Sequence, residues 1–227
     1  MESIFKQKLG NDFEKLHPKI QQQFGFNSAD HMASVGVGVM EKVWHGNFYT
    51  LPLLYLGKLR NVLFPEKGTM IPFSMESYAY KDSFGRETVS LIRKYQFEKH
   101  IRRFDETMIL SKMRKRLISY LGTHQNLAVD IEVSVGQNGG ICFHSGQLRF
   151  YQGSLAFVFP HFFSGEGDVC EWYDDNEKKY KISVKVNNRI WGKFFGYEGS
   201  FDVGYMEVNS KDDIPKDALP VREEIRD

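Results

Sequence analysis

Arg93 is the residue whose type and place in this chain most need an explanation. Val89, Leu91, Tyr95 and Phe97 alternate with it along 86–97, and a period of two puts all five on one face of a strand. A guanidinium moved from water onto an apolar face costs several kcal/mol unless it is paired. Two readings satisfy that demand. Arg93 closes an internal ion pair with a carboxylate such as Glu41, Glu132 or Glu171, fixing the inside of a sheet. Alternatively, its planar fork faces the carboxylate or phosphate of a small molecule at the bottom of a cavity. Tyr95 and Tyr197 belong to the aromatic surplus that would wall such a cavity.

Other residues could carry chemistry beside it. Glu171, in a strand with Trp172 and Tyr173, has apolar strand partners, so a desolvated carboxyl there could act as general acid or base. Glu41 falls within the alternating series Val35, Val37, Val39, Val43 and is placed on the same apolar face. His144 shares a strand face with Cys142, and His45 follows Trp44. A metal centre needs three or four convergent ligands, yet HxH, HExxH and CxxC spacings are all absent. No metal and no cofactor are expected. Nucleophilic catalysis has no GxSxG elbow to rest on. Gly36 and Gly38 begin a GxGxxG pattern that lacks its third glycine and any βαβ context, which excludes a dinucleotide fold; they are expected where a strand bends and crowds its neighbour.

The composition narrows the field further. With 41% hydrophobic and 26% charged residues in 227, the chain is an ordinary folded protein rather than a disordered or coiled-coil one. Its 30 Lys+Arg balance 29 Asp+Glu, against a dedicated nucleic-acid binder. Between Arg93 and Arg116 nine basic residues meet three acids, which reads as solvated strand faces or as an anion-attracting interaction surface. The cysteines Cys142 and Cys170 are too few for a disulfide framework, so a reducing compartment is expected. The first residues lack the basic start and apolar stretch of a signal peptide, and no apolar run reaches bilayer length. A cytoplasmic protein without a transmembrane segment is the expectation.

The elements that must position these residues are mainly strands. Phe13, Leu16, Ile20 and Phe24 recur at helical steps, Pro18 can start a second short helix and Gly25 stop it. Leu53, Leu56, Leu59 and Leu63 predict a helix over 51–64, closed by Pro65. From 69 to 208 the period becomes two, with Asp82-Ser83-Phe84-Gly85 and Gln137-Asn138-Gly139-Gly140 as turns. The outcome is about ten short antiparallel strands, too many and too twisted to stay open, which predicts a curved sheet or calycin-like barrel with helices at one end. The fold class is mainly β (α+β). Residues 1–208 are expected to form one domain, with 209–227 a loosely attached polar tail.

The order of elements resembles a bacterial family known as a domain of unknown function, numbered 4166, over about 13–206. Four stretches carry the likeness: the short helix ending in Phe24-Gly25, the strand Leu91-Ile92-Arg93-Lys94-Tyr95, the glycine after Tyr120-Leu121, and the run from Glu171-Trp172 through Gly192 to Tyr197-Glu198-Gly199. The family commonly places tryptophan and phenylalanine where Leu91 and Tyr95 stand here. The resemblance implies no reaction. Some relatives resemble accessories of an oxidoreductase, through an attached saccharopine-dehydrogenase-like domain, and the likeness implies that role.

The leading expectation is a non-enzymatic binding domain for a small apolar or amphipathic molecule with an acidic group. Arg93, Tyr95, Glu41, Glu171, His144 and Tyr197 are its candidate binding residues. The alternatives are an enzyme using Glu171 or Glu41 as acid/base on such a molecule, and an interaction module built on the basic surface at 93–116.

Overall fold

The computed structural model describes residues 2–160, 164–190 and 192–227. Short helices α1 (Ile4–Leu9) and α2 (Pro18–Gly25) precede the first strand, and α3 (Leu51–Gly57) separates it from the second. The strands are β1 (Met32–His45), β2 (Gly68–Lys81), β3 (Glu87–Gln96), β4 (Ile101–Ser111), β5 (Arg116–Leu121), β6 (Leu127–Val135), β7 (Ile141–Gln152), β8 (Leu155–Val158), β9 (Glu166–Asp174), β10 (Lys179–Asn188) and β11 (Gly192–Glu207). All neighbours pair antiparallel, in the order β6-β5-β4-β3-β2-β1-β11-β10-β9-β7, and β6 pairs with β7 to close the ring. The result is a closed ten-stranded barrel with β8 as an extra strand beside the upper half of β7. Closure removes the two free edges that an open sheet would present.

Because the strands alternate in direction, the connections divide between two ends. The lower end receives α1 and α2, whose buried Phe5, Phe13, Ile20 and Phe24 plug the barrel. Polar contacts seat this plug: the His17 N–H donates to the Gly139 carbonyl at 2.8 Å, and the Tyr180 hydroxyl to the Lys19 carbonyl at 3.3 Å. His17 also caps α2 through its Nδ1, with Pro18 at the first turn as its fixed φ favours. The upper end holds the β1–β2 connection with α3, the 122–126 loop and the β7–β8 and β10–β11 turns.

The α3 helix is shorter than the predicted 51–64 span. It passes into a 3-10 turn over Lys58–Arg60, and Asn61 then turns left-handed at φ 54°. Leu54 alone of its leucines is completely buried, whereas Leu53, Leu56 and Leu59 are exposed. The leucine stripe read as a packing face therefore surrounds the upper opening, because α3 rests on the rim rather than on the side of the sheet.

In β1 the alternation is right and its phase is reversed. Val37 is 60% exposed, while Met40 is fully buried on the other face. The inward positions Gly36 and Gly38 make room for Phe201 of β11: a Cβ at Gly36 would lie 2.9 Å from that ring, and one at Gly38 would lie 2.1 Å from the Ser200 carbonyl. A register shift between Met40 and Lys42 follows, a bulge that flips the phase so that Val43 points inward.

The expectation of a loosely attached 209–227 tail is also corrected. The segment runs over the outside of the barrel, where Val208, Ile214 and Ala218 cover Ala33, Tyr78, Tyr80 and Ile92. Further on, Arg86 Nη2 donates to the Glu224 carbonyl at 2.7 Å, and the Tyr120 hydroxyl to the Arg226 carbonyl at 2.9 Å. Glu224 is 2% exposed and bonded by Arg222 and Arg226. The polar residues of this segment pair among themselves and with the barrel, which its composition alone does not disclose.

Candidate functional site: a polar patch in the wall of an apolar cavity

On β3 the inward face carries Val89, Leu91, Arg93 and Tyr95, all buried. Arg93 is 6% exposed, as the pattern of its strand requires. Its Nη1 donates to Glu106 Oε2 at 3.0 Å, and its guanidinium lies 5.1 Å from the Phe104 ring centre. The ion-pair partner is thus none of the three carboxylates expected. Phe104, Glu106, Met108 and Leu110 of β4 alternate across the β3–β4 hairpin, where Phe104 faces Arg93 and Glu106 faces Leu91. One diagonal step joins the pair. The signal that would have found Glu106 is the one that found Arg93: a charge in the middle of an apolar alternating face.

Glu106 is doubly satisfied, because the Ser119 hydroxyl donates to its other oxygen at 2.5 Å. Burial opposes the Arg93 charge, but the surrounding Tyr197, Glu106 and Tyr95 more than compensate and hold its pKa above the ordinary arginine value. Arg93 stays a cation.

Around this pair lie buried groups that are not satisfied. Among the described residues, Arg93 Nε, Glu171 Oε1, Gln23 Oε1 and the Tyr95 and Tyr197 hydroxyls have no hydrogen-bond partner. Each such group costs about 1–3 kcal/mol if it stays dry and unpaired. Glu171 is 3% exposed. Burial pushes its carboxyl up to about 7, against the pull of the Arg93 charge and the neighbouring Gln23 amide. Burial likewise raises both tyrosines, with Tyr197 held back by the Arg93 charge. The rings of Tyr95 and Tyr197 stand edge to face at 5.3 Å. Tyr95, Tyr197, Arg93 and Glu171 are therefore gathered in one place, four of the six candidates.

Beside them the interior is hollow. A cavity of about 550 Å³ is lined at the plugged end by Phe24, Met108 and Phe143, carries Arg93, Glu106, Glu171 and Tyr197 together on its wall, and is otherwise bounded there by apolar side chains such as Leu91 and Val129. At the upper end its lining passes to Leu53 and Leu56 of α3, Arg60, and Gln152, all exposed. The barrel is thus plugged below and open above. Its size falls in the range of small-molecule sites, about 300–1,000 Å³.

Two candidates lie elsewhere. Glu41 sits at the β1 bulge with an exposed side chain, 4.0 Å from Lys181 on the outside. His144 is also outside, its Nδ1 2.7 Å from Asp168. Glu132 pairs outside with Arg116 at 3.2 Å. The shared face of His144 and Cys142 was correctly read, but it is the outer one. Register also places Cys142 opposite Cys170, and the two form a disulfide between β7 and β9. The two cysteines are thus paired with each other rather than free. In the 93–116 stretch, Arg93, Lys94, Arg102, Arg103, Arg114 and Arg116 each have a carboxylate within 4.0 Å. That neutralises much of its basic character. Among the described residues no cluster of His, Cys, Asp and Glu could hold a metal ion, and no helix is long and apolar enough to cross a membrane.

Fold and site together define an antiparallel β-barrel with an internal, mainly apolar cavity that carries a buried polar patch on its wall. The chain belongs to the family described as Domain of unknown function (DUF4166), whose model matches residues 16–201. It is similar to Uncharacterized protein YndH of Bacillus subtilis (strain 168), with 27% identity over 201 residues, 88% of this chain and 97% of YndH. No solved structure matches.

Proposed function

We propose that the barrel binds a small amphipathic molecule, its apolar body in the cavity and an acidic head at the polar patch on the wall. One observation carries this reading: the cavity of about 550 Å³ is lined by Arg93, Glu171 and Tyr197, each with a buried polar atom left unpaired. A head group with two acceptor oxygens would take the Arg93 Nε–H and the Tyr197 O–H, while Glu171, with its carboxyl near 7, donates when protonated. Glu106 keeps Arg93 charged and aimed, so binding need not order the guanidinium. Pre-organisation of this kind lowers the cost of association. The apolar lining supplies affinity, and the polar patch selects the head.

The test is titration with cis-parinaric acid, a polyene fatty acid that fluoresces in apolar surroundings, against the corresponding alcohol. Native mass spectrometry of gently purified protein runs beside it. The expected result is saturable binding of the acid, weaker binding of the alcohol, and loss of that preference in the Arg93→Met/Glu106→Leu double variant, which removes the ion pair without leaving half of it buried. Absence of binding by either probe, with no retained molecule in the mass spectrum, would overturn the reading.

A further inference from the structure

The mouth of the cavity has a surface unlike the rest of the molecule. Among the described residues four stretches build most of the rim, 42–65, 148–160, 186–190 and 192–195, and none of them contains Asp or Glu. They expose large apolar side chains: Phe48 at 81%, Leu56 and Leu59 near α3, Leu155 and Phe157 on β8, and Ile190 at 65% in the β10–β11 turn. Between these stand Lys58, Arg60 and Lys193, which have no ion-pair partner among the described residues, and Lys58 lies 4.6 Å over the Tyr55 ring. Of the carboxylates bordering this end, Glu66 is bonded to Arg102 and Glu166 to Arg189, and Glu98 adjoins Lys99. The plugged end is of mixed sign: Glu2 and Glu14 pair with Lys6, Asp12 with Lys15 and Glu177 with Lys181.

Exposed apolar side chains ringed by one sign of charge mark a surface with a partner. Aromatic and aliphatic groups beside lysine and arginine match the interfacial zone of an anionic bilayer, where apolar groups enter the acyl boundary and cations meet phosphates. A second copy is a poor occupant, because a twofold contact sets a patch against itself and would oppose Lys58, Arg60 and Lys193 to their own equivalents. We propose that this face docks on an anionic lipid surface and that the barrel exchanges its guest there. The exchange rests on the cavity being a binding site. The docking does not.

Sedimentation with vesicles separates these statements. The protein is expected to bind mixed phosphatidylcholine/phosphatidylglycerol vesicles, to ignore pure phosphatidylcholine, and to be released by salt. Lys58→Gln/Lys193→Gln is expected to weaken vesicle binding about 30-fold, taking the usual contribution of one surface cation twice. Phe48→Ser/Leu59→Ser is expected to abolish it. Both variants keep their thermal midpoint and, in vesicle-free buffer, their affinity for cis-parinaric acid, since none of the four residues lines the cavity. Docking is overturned if wild-type protein stays in the supernatant, if both pairs of substitutions leave binding unchanged, or if ultracentrifugation shows the face buried in a dimer that these substitutions dissociate. Vesicle binding without uptake of cis-parinaric acid would uphold docking and remove the exchange.

Discussion

The two ends of the barrel are built from the same kinds of residue to opposite effect. Below, Phe5, Phe24 and Phe143 meet ring to ring at 5.1–5.9 Å and exclude solvent. Above, Phe48, Leu56 and Leu59 stand exposed around an opening. Hydrophobic residues at the plugged end are accounted for by burial. Those at the open end contribute little to folding and are an argument for something outside the fold. The polar patch lies between the two and serves neither: its Arg93–Glu106 pair adds a desolvation cost that packing alone would avoid.

Substitutions can break that comparison. Phe5→Ala is expected to cost about 3–5 kcal/mol, the range for truncating a core aromatic, read from urea unfolding. A much smaller loss would mean the plug is not part of the cooperative core. Glu106→Ala is expected to destabilise by about 3–5 kcal/mol because it strands a buried guanidinium, whereas Arg93→Met/Glu106→Leu recovers most of that loss. If the double variant is as unstable as the single, the pair is not what holds the polar patch.

Glu171 sharpens the contrast through pH. Its carboxyl lies at about 7 when folded against 4.5 as the ordinary value, so the folded protein holds a proton that the unfolded chain has lost between those pH values. Stability therefore falls as pH rises through that window. The deficit, absent below it, reaches roughly 3 kcal/mol above pH 7. Glu171→Gln should flatten this dependence relative to wild type and leave the protein more stable at alkaline pH. Equal slopes in the two proteins would show that Glu171 is not held in a dry site. The smallest effect is expected at the mouth, where Leu59→Ala should change stability by less than about 0.5 kcal/mol. A larger loss there would show that the rim belongs to the core after all.

Much of this architecture is legible in the sequence, because alternation at period two over 69–208 is a property of the chain itself. The plug is legible for the same reason, through Ile20 and Phe24 at helical spacing behind Pro18. Period does not supply phase. In β1 the valines could face either way, and only the inward-pointing ring of Phe201, which Gly36 and Gly38 accommodate, decides that they face out. Glu41 was misplaced with them, and the bulge beside it could not be foreseen from alternation. Arg93 was read correctly because its four neighbours on that face are all apolar. Glu106 was missed because Arg102, Arg103 and Asp105 crowd the same strand and hide its alternation. The Cys142–Cys170 bond depends on β7 and β9 lying side by side, a fact of closure that a separation of 28 residues does not announce.

Strand β7 divides its allegiance along its length. From Ile141 to His144 it pairs with β9, and from Arg149 to Gln152 it turns instead to β8. The disulfide fastens the lower part, while above Ser145 β8 takes the edge of β7 that β9 leaves. The wall therefore has a seam between β8 and β9, which share no ladder pairing among the described residues. Parting its two lips would widen the aperture without breaking a strand pairing, and faster hydrogen exchange along 155–158 than along 149–152 would report it.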